Sequence, residues 1–287
     1  MNNQPQFTAT NAAATTAFAE PGVPQIRTLN LAGMYALYVK EVRRFFKVQL
    51  QTVWAPAITT LLFLVIFSVA LGGAKGNVLG VPYADFLAPG LIVMAMLQNS
   101  FANSSFSLLV GKIQGTIVDY LMPPLGHGEL IVAMVGAAVT RAVLVGGALW
   151  LVMLFYPGVD VRPDHVWAIV VFGLLGSAML GFFGLIASIW AEKFDHAAAI
   201  TNFVVAPLAL LSGTFYAVDR LSPLVQSISH ANPFYYVIMG FRYGFIGATD
   251  SSIANPIATG IAVLVGINAV LAFIAYRLLA SGWKLKP

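Results

Sequence analysis

The chain has 287 residues, of which 59% are hydrophobic and only 9% charged, against roughly 25% charged in ordinary soluble domains. With a mean hydropathy of +0.84, that composition excludes a soluble globular domain and calls for an integral membrane protein. A net charge of +4 suits a cytoplasmic membrane face better than nucleic acid, and the absence of cysteine excludes disulfides and thiolate metal sites.

Residues 1–29 are polar and rich in Ala and Thr. They lack the charged-then-apolar pattern of a signal peptide and are expected to form a disordered cytoplasmic tail. From Leu31 the apolar residues Leu31, Met34, Tyr35, Tyr38, Val42, Phe45 and Phe46 trace one face of a helix. Lys40, Arg43, Arg44 and Lys47 occupy the remainder, the pattern of a helix lying in the membrane interface. Simple extension of the first span is the alternative.

Six spans of about the length a bilayer requires are expected at Trp54–Leu71, Phe86–Val110, Leu130–Tyr156, Val166–Trp190, Ala197–Tyr216 and Ile257–Leu279. The second is unusually polar around Gln98, Asn99, Asn103, Ser104 and Ser105, and the fourth carries Gly173, Gly176, Gly181 and Gly184, a pattern of close helix packing. Arg141, inside the third, is the one charge well within a span. It points either to an anionic substrate or a gating pair, or to a structural role, snorkelling to an interface or pairing with Gln98, Asn99 or Asn202 across a helix contact. With the N-terminus inside, ten Lys and Arg fall on the inner side and four on the outer, so both termini are placed in the cytoplasm.

The inner loop GKIQGTIVDYLMPPLGHGE, residues 111–129, predicts a short helix stopped by Pro123 and Pro124. Ile113, Ile117, Tyr120 and Leu121 are placed on one face of it. Glu129 follows at the start of the third span, where a helix N-terminus favours negative charge. Such a stiff, exposed element suits contact with a partner. On the outer side, residues 218–247 are too polar to span. Pro223 suits the first turn of one half-helix, and Asn232-Pro233 breaks it before a second. A pair dipping into the outer leaflet is expected, as an outer gate or as an anchor.

The chemistry of an enzyme is missing. Gly111-Lys112 is the nearest approach to a nucleotide loop, but Phe106 stands where its first glycine belongs and Ile113 where Ser or Thr would bind magnesium. The four histidines are scattered through the joints. Carboxylates lie almost wholly in loops, which argues against a proton relay.

Two stretches, GTIVDYLMPPLGHGELI and LSGTFYAVDRLSPLVQSISHANPFYYVIMGFR, resemble the coupling region and the signature of the ABC-2 permeases. These are the membrane subunits of type V ABC exporters, and the resemblance runs from about Leu31 to Lys286. It implies an all-α transmembrane domain over residues 30–287, with a coupling helix near 111–124. Two copies of the permease would work with two separate ATP-binding subunits and the surrounding lipids. No cofactor is expected on this chain, with ATP and Mg in the partner. The residues placed at the ATPase are Lys112, Gln114, Thr116 and Asp119, with Glu192 and Asp195. Gln98, Asn99, Arg141, Phe215, Tyr216, Tyr235 and Tyr236 are placed at the pathway or gate. The family commonly has Phe-Pro where Phe215-Tyr216 stands and glutamate at Asp119, which leaves subfamily and cargo open. The expected function is outward movement of a drug or lipid across the bacterial cytoplasmic membrane, with polysaccharide or lipid-linked glycan as the alternative. An ATP-independent channel or carrier is the reading from another class, and a lipid-acting enzyme ranks last.

Overall fold

The computed structural model describes residues 29–285 except 250 and 252; the predicted N-terminal tail, Leu29 apart, lies outside the described residues. Helix α1 (Leu31–Phe46) starts where the periodicity places it. Its cap is Asn30, whose Oδ1 accepts from the Gly33 N–H at 2.9 Å, satisfying one of the orphan donors of a helix start. A π-helical turn at Leu50–Trp54 leads into α2 (Ala55–Lys75). A minimal antiparallel hairpin follows, β1 (Asn77–Val78) and β2 (Val81–Pro82), with Val78 opposite Val81. Then come α3 (Tyr83–Ile113), α4 (Val118–Leu121), α5 (His127–Leu154) and α6 (Val166–Trp190). Beyond them, α7 (Phe194–Ile200), a second π-helical turn and α8 (Ala206–Leu210) form one short helix. The chain closes with α9 (Pro223–Ala231), α10 (Pro233–Ile246) and α11 (Pro256–Ser281).

Among the described residues, five helices are long and apolar enough to cross a membrane: Leu50–Ala70, Tyr83–Ile113, His127–Leu154, Val166–Trp190 and Pro256–Ser281. The expected span at Ala197–Tyr216 is instead a shorter apolar helix, Phe194–Leu210. It stops early because the chain turns at Leu211–Gly213, where Gly213 takes φ +82°, a conformation that favours glycine. The helix expected near residues 111–124 is also shorter. α3 runs on to Ile113, Gly115 turns with φ +72°, and only the four residues of α4 are helical again. That turn splits the predicted apolar face, so Ile117 and Tyr120 are buried whereas Ile113 and Leu121 are exposed.

Helix α3 is the central pillar, buried over most of its length, while α2 and α11 bury little within the protomer. The glycines of α6 make the close packing possible. A Cβ on Gly184 would lie 2.6 Å from the Phe101 carbonyl oxygen of α3, and one on Gly176 would lie 2.4 Å from Val237 Cγ1 of α10. The backbone of α3 cannot yield cheaply. Gly184→Val is therefore expected to destabilise the protein by about 1–3 kcal/mol, read as a lowered thermal unfolding midpoint in detergent. Gly128→Ala, whose Cβ meets nothing within 4 Å, should leave the midpoint unchanged.

Candidate functional site

Along α3, Asn99, Asn103, Ser107 and Gly111 recur every four residues, which places them on one face of the helix. Each meets a different element. Arg141 of α5 donates from Nη2 to Asn99 Oδ1 at 2.9 Å. One turn further along α3, Arg44 of α1 donates to the Asn103 carbonyl at 2.8 Å and to its Oδ1 at 3.3 Å. At the next turn Ser107 Oγ donates to Glu41 Oε2 at 2.9 Å. At the last, the ring of Tyr120 from α4 packs over Gly111, where a Cβ would come within 3.2 Å of it.

Glu41 binds this ladder together. Its carboxylate is buried and is paired with Arg44 at 3.0 Å, and it accepts from the Tyr120 hydroxyl at 3.3 Å. Lys40 sits 3.7 Å over the Tyr120 ring, a cation–π contact. Burial, and then the Glu41 carboxylate, push the Tyr120 phenol up to about 12, so it stays a neutral donor throughout the physiological range. The far end of the α4 segment is fastened to α1 as well. Asn30 Nδ2 donates to the Pro124 carbonyl at 3.1 Å, its backbone N–H donates to Glu129 Oε1, and Gly126 N–H donates to Glu129 Oε2 at 2.8 Å. α1 and the α4 segment are thus joined at both ends.

The residues expected at the ATPase divide into two groups. Gln114, Thr116, Asp119, Glu192 and Asp195 are exposed on the α4 side, beside the exposed apolar side chains Val118, Leu121 and Met122. Lys112 is half-buried, and its Nζ donates to the carbonyls of Ile189 and Ala191, tying the end of α3 to that of α6. Glu192 accepts from Lys284 at 2.8 Å, and this bond holds its carboxyl below the usual carboxylate range.

The residues expected at the pathway are also dispersed. Asn99 and Arg141 meet, while Gln98 lies half-exposed beside them on α3. Arg141 Nε has no hydrogen-bond partner among the described residues. Phe215 packs tilted against Phe67 of α2 at 4.8 Å, and the Tyr216 hydroxyl donates to the Leu210 carbonyl at 3.3 Å. Tyr235 and Tyr236 are buried, packed edge to face at 5.3 Å, and so do not line an open surface of the protomer.

Across the α9–α10 break, Asn232 Oδ1 caps α10 by accepting from Phe234 N–H at 3.0 Å, and its Nδ2 donates to the Leu208 carbonyl at 2.6 Å. Arg242 is the anchor of this region and is almost fully buried. It donates to the carbonyls of Phe86 at 3.2 Å, Gly213 at 2.8 Å and Thr214 at 3.3 Å, with its guanidinium 3.8 Å over the Phe86 ring. Gly90 leaves room for it, since a Cβ there would come within 3.1 Å of Arg242 Nη2.

The ABC-2 type transporter family model matches residues 33–246, which takes in the ladder, α4 and the Arg242 anchor. The chain belongs to the ABC-2 type transporter family. This ABC-2 transporter is 34% identical over 252 residues to the inner membrane transport permease YadH of Escherichia coli K12, an alignment covering 88% of this chain and 96% of that one. It is 29% identical over 180 residues to nodulation protein J of Neorhizobium galegae, covering 62% and 67% of the two chains. To nodulation protein J of Sinorhizobium fredii it is 26% identical over 189 residues, covering 66% and 71%. As an ABC-2 transporter it is an integral membrane transport permease, and ATP-binding subunits are the partners its family implies.

Proposed function

We propose that this chain is the membrane subunit of an ATP-driven exporter, working as two copies with two ATP-binding subunits in the inner membrane. Both termini and α4 face the cytoplasm. The cargo is a hydrophobic or amphiphilic molecule, a drug or a lipid, moved outward between the copies. Hydrolysis belongs to the partner, which holds ATP and Mg. The observation that carries the reading is the ladder on α3. It links the α4 segment, through Tyr120, Glu41 and Arg44, to Asn103, one turn along α3 from the Asn99–Arg141 pair.

In this reading the ATPase grips Asp119 and the apolar knobs Val118, Leu121 and Met122, and motion of α4 is passed to α1 and α3. The half-exposed face of α3 at Met94, Gln98 and Ala102 lines the route, and the α9–α10 pair forms the outer gate. An apolar face with few polar groups suits an amphiphile better than a long glycan. The test uses the complex of this chain with its ATPase in proteoliposomes. Met122 is 78% exposed, so Met122→Asp should spare the fold while weakening the interface. A loss of at least about tenfold in permease-dependent ATP turnover is expected, the effect of losing a central interface contact. Turnover equal to the parent's would remove the docking surface from α4.

A further inference from the structure

A cavity of about 340 Å³ lies on the side of the protein opposite α4, opening between α5 and α6. Its mouth is formed by Val143 of α5 and Val170 of α6, both exposed, and its floor by Met96 of α3 and Phe241 of α10, both buried. Every lining side chain is apolar; the indole N–H of Trp150, the one polar group among them, is already donated to the Val161 carbonyl at 2.9 Å. Gly147 keeps the space open, since a Cβ there would meet nothing within 4 Å.

Depth and shape decide the occupant. The lining residues of α6 run from Val166 to Leu174, about 12 Å along the helix axis at 1.5 Å per residue. One leaflet contributes about 15 Å of the hydrocarbon core. The cavity therefore runs nearly the full depth of a leaflet and opens sideways into it. Water gains nothing in such a space, because apolar cavities of this kind stay dry. At the rim the lining ends on Pro163, and the preceding residue, Arg162, holds its side chain in solvent with Asp160 at 4.0 Å. Asp160 and Asp164 flank Arg162, and Asp85 accepts from the Asp160 backbone N–H at 2.8 Å, so the rim carries no net positive charge.

We propose that this cavity binds one hydrocarbon chain of a membrane phospholipid from the adjoining leaflet. Assigning that leaflet as the outer one rests on the cytoplasmic placement of α4 given above; binding of the chain does not.

The test places the full chain in phosphatidylglycerol–phosphatidylcholine liposomes containing a phosphatidylglycerol with a mid-chain diazirine. After irradiation, adducts are mapped by peptide mass spectrometry. Adducts are expected on the peptides carrying Met96 and Phe241, which are only 6% and 2% exposed. Filling the space with Gly147→Leu, or obstructing its mouth with Val143→Trp, should each lower those adducts at least tenfold. Adducts on the exposed Leu151 and Phe273 should stay constant, which also reports that the variants are folded. Absence of adducts at the Met96 and Phe241 peptides, as when a second copy covers the mouth, would overturn the proposal. So would adducts that neither variant reduces. No ATPase or transport enters this measurement, so its failure leaves the exporter reading standing, and failure of that reading leaves the cavity standing.

Discussion

Replacing Arg242 with methionine is expected to lower the stability of the protein by about 2–4 kcal/mol, since charge-assisted hydrogen bonds to buried carbonyls are lost. The guanidinium donates to the carbonyls of Phe86, Gly213 and Thr214. Those three oxygens belong to α3 and to the turn that ends α8, so one side chain from α10 joins three parts of the chain. Methionine fills similar space but offers no donor, and each buried carbonyl left without one costs about 1–3 kcal/mol. Partial relaxation keeps the total below the sum. The unfolding midpoint of the purified protein should fall by roughly 10 °C, and Arg242→Lys, which keeps a charge but not the planar fork, should lie between. A midpoint equal to the parent's in Arg242→Met would show that the carbonyls are satisfied in some other way.

Glu41→Ala is expected to uncouple the transporter rather than unfold it. The substitution leaves Ser107 and the Tyr120 hydroxyl without their acceptor and removes the counter-charge of Arg44. α4 then keeps its attachment through Asn30 but loses the one through Tyr120. Transport by the ATPase complex should fall at least about tenfold, equivalent to about 1.4 kcal/mol of lost coupling, while basal ATP turnover stays within a factor of two to three. Tyr120→Phe removes a single bond and should give a smaller loss, and in the Glu41→Ala background it should add nothing, as partners in one interaction do in a double-mutant cycle. Full additivity would place the two residues in separate roles. The pH dependence has a definite sign. Because burial, and then the Glu41 carboxylate, raise the Tyr120 phenol from 10.0 to about 12, its contribution to stability is complete below pH 10 and is lost as pH rises toward 12, where the unfolded chain ionises first. Unfolding should therefore become easier across that window, and by less in Tyr120→Phe than in the parent.

The helical elements were legible where pattern and punctuation agree. The amphipathic run from Leu31, the start of the helix at Val166 and the break at Asn232-Pro233 stand in the structure where the residues put them. Close packing at Gly176 and Gly184 followed from the same kind of reasoning. Glu41 was not legible. Helical periodicity sorts residues into apolar and polar faces, and a lone glutamate among basic residues falls on the polar one. Only the meeting of α1 with Ser107 and Tyr120, distant in sequence, makes it interior. Gly115 misled in another way. A left-handed turn in the middle of the segment resets the helical phase, so Ile113 and Ile117 no longer share a face. The quartet Phe215, Tyr216, Tyr235 and Tyr236 showed aromatic character but not its use, because a tyrosine packed in the core and one lining a passage look alike in sequence.

The short helix Phe194–Leu210 has a consequence for the membrane itself. Its segments of 7, 5 and 5 residues reach about 26 Å at 1.5 Å each, less than the roughly 30 Å of hydrocarbon around them. A hydrophobic segment too short for its bilayer draws the two surfaces together. A bilayer that this helix crossed would have to thin beside it, or its flanking polar side chains would have to reach out to the interfaces.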